Sequence, residues 1–176
     1  MSFSITGKTV IVTGAANGVG LAIARHLAES GANVMCADMD EVKLAEEFGS
    51  NPDMDVLPAA GADPVEEEAS KVRIFAGDLR EKLTIANLLS ATIDAFDRVD
   101  ILVNASRQVI AMDPLDSEDK TVETLIDQNL MTALKLSQAV AKRMIQQAKD
   151  EDAEEPPQSI GAIVNLTSLA ATRTRP

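Results

Sequence analysis

Thr9-Val10-Ile11-Val12-Thr13-Gly14-Ala15-Ala16-Asn17-Gly18-Val19-Gly20-Leu21-Ala22-Ile23-Ala24-Arg25-His26-Leu27-Ala28 is the stretch whose reading decides the architecture. Thr9–Val12 is a short β-branched, apolar run without strict alternation, the pattern of a strand covered on both faces. Glycines follow, and then an alanine-rich segment of helical character that ends at Gly31. A glycine-rich turn from strand to helix lets backbone approach a pyrophosphate, and the helix N-terminus supplies unpaired N–H groups and the positive end of the helix dipole. The spacing assigns Gly14 to the turn, Gly18 to the close approach and Gly20 to tight packing of helix on strand, with Asn17 and Val19 completing the cradle.

Outward from this unit the same alternation continues. Val34–Ala37, Val72–Ala76, Ile101–Val103 and Ile160–Asn165 are predicted strands, and helical patterns cover about 18–30, 40–48, 80–96 and 119–148. Strands alternating with longer helices predict an α/β domain with a parallel sheet, about five strands in a single unit over 1–176. Two acidic segments interrupt the pattern: 49–70, with Pro52, Pro58, Pro64 and Glu66-Glu67-Glu68, and 150–157, ending in Pro156-Pro157. Like charges repel and bury nothing, so both read as solvated loops.

The net charge of −12 argues against nucleic acid and against an anionic membrane surface as partners, since both select basic patches. No run approaches the ~18 consecutive apolar residues of a membrane span, and the N-terminus lacks the basic and long apolar parts of a secretion signal. The single cysteine, Cys36, cannot form an internal disulfide. Between Met35 and Ala37 it reads as a core thiol, and a reducing cytoplasm fits. The single histidine, His26, falls mid-helix at or near the surface, which leaves no Ser-His-Asp arrangement, and no His/Cys cluster suggests a metal.

The second predicted strand leads into Asp38. A carboxylate there can accept hydrogen bonds from the adenosine ribose hydroxyls and repels a 2′-phosphate. Asn17, not a basic residue, precedes Gly18, so both features favour NAD(H) over NADP(H). The helix-capping role falls more naturally on Asp40. Asn129 lies on the apolar stripe of Val122, Leu125, Ile126, Ala133, Leu136 and Val140, so its amide is expected to be buried and in need of partners. It is either a structural tie from helix to sheet or part of an active site. Ser168 follows the C-terminal end of the fifth predicted strand, the edge where ligands bind in open α/β sheets, although Thr167-Ser168 could equally cap a turn.

The glycine spacing Thr13-Gly14-x-x-x-Gly18-x-Gly20 resembles the short-chain dehydrogenase/reductase family. Gly77-Asp78-Leu79, Asp100–Asn104, Asn129 and Gly161–Ser168 resemble further landmarks of that family in the same order. The resemblance implies a Rossmann-like doubly wound parallel sheet with helices on both faces. It also implies an oxidoreductase that interconverts an alcohol and a ketone by hydride transfer with NAD(P), a small-molecule substrate, and a homo-oligomer in the full-length form. The roles it carries over put the pyrophosphate on the glycine loop, the ribose on Asp38, the adenine on Asp78 and Leu79, and Asn104 at the cofactor. Ser168 would polarise the substrate carbonyl, and Asn129 would support a proton relay through its backbone and a water.

Two departures stand out. Asn104-Ala105-Ser106-Arg107 occupies the place of the family's Asn-Asn-Ala-Gly, so an arginine replaces the terminal glycine. The family's Tyr-x-x-x-Lys, its acid/base pair, has no counterpart, because these 176 residues contain no tyrosine. The expectation is therefore a C-terminally incomplete nucleotide-binding portion, inactive alone. The alternative is a non-catalytic nucleotide-binding module, or one half of a complex completed by another chain.

Overall fold

The computed structural model describes residues 4–49, 72–111, 115, 120–150 and 159–168. All but the first residue or so of the acidic segments 49–70 and 150–157 lies outside the described residues. The strands are β1 (Thr9–Thr13), β2 (Asn33–Asp38), β3 (Val72–Ala76), β4 (Ile101–Asn104) and β5 (Ala162–Asn165). They form one sheet in the order β3-β2-β1-β4-β5, every neighbouring pair parallel. The chain steps outward from β1 in one direction through β2 and β3, then in the other through β4 and β5. A crevice therefore opens beyond the C-terminal ends of β1 and β4, where the connections diverge.

Period-two alternation along β1 divides the interior into two cores. Ile11 faces Met35 and Leu102, covered by α3 (Lys82–Phe96) through Leu88 and by α5 (Thr132–Asp150) through Leu136 and Val140. Val10 and Val12 face Val34 and Cys36, covered by α1 (Gly18–Glu29) through Ala24 and by α2 (Glu41–Phe48) through Leu44. Each fully buried Leu, Ile or Val side chain contributes about 1.5–3 kcal/mol by leaving water. With both faces covered, β1 has no exposed residue, which explains its unbroken apolar run.

Polar ties at the opposite edge fix the strands in place. The Asp100 carboxylate, before β4, accepts the Thr9 N–H at 2.9 Å and a fork from Arg98. Gln147 of α5 both accepts from Val99 N–H (3.0 Å) and donates to its carbonyl (2.9 Å), seating that helix against the sheet.

Two expectations need correction. The long helix predicted over 119–148 is interrupted: α4 (Thr121–Leu125) runs into a π-turn at Ile126–Met131 before α5 begins. Thr132 donates both its N–H and its hydroxyl to the carbonyl of Asp127, five residues back, which holds the turn wide. An extra residue per turn shifts the helical phase, so the apolar stripe does not run through. Leu136 and Val140 are fully buried, whereas Val122 and Ile126 are 47% and 49% exposed. The fifth strand starts at Ala162 and not at Ile160, because Gly161 adopts φ +152° beside Met144, where a Cβ would meet the sulfur at 2.5 Å. All four residues of β5, the outermost strand of the described sheet, are exposed.

Candidate functional site

The turns after β1, β2, β3 and β4 leave the sheet at one edge, as parallel strands require. Gly14 closes β1 with φ +68°, and a Cβ there would meet the Ser106 backbone at 2.7 Å, so the loop after β4 lies directly against the glycine turn. Thr13 reinforces the contact: its hydroxyl accepts the N–H groups of Ala105 and Ser106, both at 3.1 Å. Gly20 sits so close to the turn that a Cβ would fall 2.1 Å from the Gly14 carbonyl oxygen. Gly18 differs. It has φ +56°, and nothing lies within 4 Å of where its Cβ would be.

That open face adjoins the start of α1. The first-turn N–H groups of Gly18, Val19 and Gly20 have no intrahelical acceptor. The Asn17 side chain caps none of them, and no acid occupies the first turn. Unpaired donors, the positive end of the helix dipole and a glycine facing open space suit a phosphate. The residues present therefore fit a dinucleotide.

Asp38 ends β2. Its Oδ2 accepts the Ala16 N–H (3.1 Å), and its Oδ1 accepts those of Met39 (2.7 Å) and Asp40 (3.1 Å). The carboxylate thus ties the glycine loop to β2 and retains one of its roughly four acceptor positions. Asp40 is the cap of α2, accepting the Lys43 N–H at 3.1 Å, the capping role expected from the sequence. After β3, Asp78 is held by Arg80. The Arg80 Nε reaches both carboxylate oxygens at 2.9 Å, and its N–H reaches Oδ1 at 3.0 Å. The guanidinium beside it holds the Asp78 carboxyl below the usual carboxylate range.

Asn129 departs from expectation. It is exposed, not buried, because the π-turn carries it off the core-facing stripe. Its amide still has partners: it accepts the Gln108 N–H at 2.7 Å and donates to the Gln108 carbonyl at 2.8 Å. The tie runs from helix to the loop after β4 and not to the sheet. Asn104, 6% exposed, donates to Ser137 Oγ (3.0 Å) and to Asn165 Oδ1 (2.8 Å), joining β4, β5 and α5. Ser168 is exposed, three residues beyond β5.

A cleft of about 100 Å³ gathers Gly14, Asp38, Asp78, Leu79 and Asn129, with Arg80 and Arg107 also on its wall. Leu79 is at the same time part of the core beneath. Asn17, Gly18, Val19, Gly20, Asn104 and Ser168 lie outside this wall. A larger cavity, about 310 Å³, sits at the other edge, between Lys8, Asp100, Met144 and Gly161, away from the converging loops. The sequence reading missed Thr13, Arg80, Ser137 and Asn165. Thr13 and Asn165 shared one available signal, a polar residue closing an apolar strand run.

His26 is exposed, as expected. Cys36 is fully buried, and burial pushes its thiol up to about 12. No helix among the described residues is long and apolar enough to cross a membrane.

The short chain dehydrogenase family model matches residues 8–176. An uncharacterized oxidoreductase of Escherichia coli is 33% identical over 95% of this chain and 54% of its own length. The L-fucose dehydrogenase of Rattus norvegicus is 28% identical over 93% of this chain and 50% of its own. A putative short-chain alcohol dehydrogenase from Sinorhizobium meliloti superimposes with a TM-score of 0.73 at 28% identity, covering 98% of this chain and 59% of that one. The chain thus spans about half to three-fifths of the length of such relatives. A five-stranded parallel sheet with the cradle of β1 and α1 in place, matched along nearly all its residues, leaves one conclusion: the chain belongs to the short-chain dehydrogenase family.

Proposed function

We propose that this chain is the nucleotide-binding part of an NAD(H)-dependent oxidoreductase that interconverts an alcohol and a ketone by hydride transfer. The observation that carries the reading is the uncapped α1 N-terminus beside the open face of Gly18. The nicotinamide cofactor supplies the hydride donor or acceptor. The N–H groups of Gly18, Val19 and Gly20, with Asn17 alongside, hold its diphosphate. Asp38 accepts from a ribose hydroxyl with its remaining acceptor position, and Asp78 and Leu79 flank the adenine. Asn104 keeps the ends of β4 and β5 aligned at the cofactor's edge. Asn129 holds the loop after β4 in place and supports proton transfer through its backbone and a water. Ser168 donates a hydrogen bond to the substrate carbonyl oxygen. These 176 residues contain no tyrosine, so the family's acid/base is not among them. A single, buried Cys36 supports a reducing cytoplasm as the setting, and the family supports a homo-oligomer for the full-length form.

The test is cofactor choice. A negative Asp38 close to a 2′-phosphate should weaken NADPH relative to NADH by about tenfold. Asp38→Ala should narrow the gap by removing that repulsion. Equal affinities in the unmutated chain, by titration calorimetry, would overturn the assignment.

A further inference from the structure

Arg107 stands where the family pattern ends in glycine, and the proposed hydride chemistry does not use it. Its backbone is pinned on both sides. Thr13 holds Ala105 and Ser106 just before it, and Asn129 grips Gln108 just after it through both N–H and carbonyl. With its backbone held in this way, only the side chain of Arg107 remains to be ordered on meeting a ligand. Its side chain is exposed on the wall of the cleft, together with Gly14 of the glycine turn.

The electrostatics of that wall are uneven. Asp38 and Asp78 both face the cleft, in a chain of net charge −12. Arg80 is committed to Asp78. Arg107 makes no ion pair or side-chain hydrogen bond with any described residue. It is the uncommitted cation of an otherwise acidic wall.

We propose that Arg107 is a diphosphate-binding residue, its guanidinium adding a side-chain cation to a cradle otherwise made of backbone N–H groups. The planar fork of a guanidinium matches phosphoryl oxygens in a way an ammonium does not. The assignment rests on reading the cleft as the NAD(H) site.

Calorimetric titration of the 176-residue chain with NADH, NADPH, ADP and adenosine tests it, in the unmutated protein and in Arg107→Gln, Arg107→Lys and Arg107→Gly. Arg107→Gln and Arg107→Gly should weaken NADH and ADP about tenfold, the scale of one lost charge-assisted contact. Adenosine, which carries no phosphate, should bind as before. Arg107→Lys should retain part of the affinity, and the salt dependence of NADH binding should flatten in Arg107→Gln. Unchanged NADH and ADP affinities in Arg107→Gln would overturn the proposal. So would an equal loss of adenosine, which marks a structural role, or a loss confined to NADPH, which marks a 2′-phosphate contact. If neither NADH nor ADP binds the unmutated chain, the nucleotide reading itself falls, and the Arg107 assignment with it.

Discussion

Replacing Gly20 with alanine puts a Cβ 2.1 Å from the carbonyl oxygen of Gly14, well inside the 3.0 Å that real Cβ atoms respect. The obstacle is backbone, so α1 must lift from the turn or the turn must distort. Overpacking of this kind costs about 3 kcal/mol, the upper end of the usual range. The same replacement at Gly18 meets nothing within 4 Å, and its cost is confined to φ +56°. Left-handed backbone penalises alanine by about 1–2 kcal/mol, partly offset by about 0.4–1 kcal/mol from a stiffer unfolded chain. Gly20→Ala should therefore lower Tm by roughly 6–12 °C and Gly18→Ala by no more than about 6 °C, at about 2–4 °C per kcal/mol for a chain of this size. Binding should be ordered the other way. The methyl group of Gly18→Ala enters the space assigned to the diphosphate, so NADH affinity should fall at least tenfold while the fold persists. Thermal melts followed by circular dichroism, with NADH titrations below both transitions, read the two properties separately. A Gly18→Ala protein that binds NADH as tightly as the parent would refute the reasoning, as would a Gly20→Ala protein of undiminished stability.

Burial pushes the Cys36 thiol up to about 12, so native protein at pH 8 should not react with a chromogenic disulfide reagent, and one equivalent should react after denaturation. Rapid labelling of native protein would show that the β2 core opens. The Asp78 carboxyl is held below its ordinary range by Arg80, so its contribution to stability is present above about pH 4 and is lost as pH falls through the depressed value. Arg80→Gln should return the Asp78 titration upward in carboxyl-carbon NMR, and an unmoved midpoint would exclude the guanidinium as the cause.

The β1–turn–α1 unit was legible in the sequence because several local signals agree there: an apolar run, glycines at a turn, and a helical alanine pattern. Asp38 and Asp40 could be told apart for a similar reason, since only Asp40 stands where a cap belongs. The phase of 126–131 was not legible. Val122, Ile126 and Ala133 keep helical spacing on paper, and the wide turn is closed by the backbone N–H and hydroxyl of Thr132 reaching back to Asp127. The apolar run starts at Ile160, two residues before β5 does, although Gly161 interrupts it, a position where glycine in a strand often signals a bend. The link between Asn104, Asn165 and Ser137 lies beyond local pattern altogether. It needs the register of β4 on β5, which pairs Asn104 with Asn165, and the docking of α5 over both.

The extra residue in the turn at Ile126–Met131 gives the two stretches flanking it separate obligations. Downstream, Leu136, Val140 and Met144 answer only to the core. The turn itself holds Gln108 through Asn129, and its Asp127 pairs with Lys135 of α5. One residue fewer would restore a regular helix and swing Asn129 round by about 100° relative to α5, off the loop it holds. The turn therefore works as a joint. Changes that repack Leu136, Val140 and Met144 need not rotate Asn129 off the loop that borders the cleft, although Ser137 still ties α5 to Asn104 at the base of that loop.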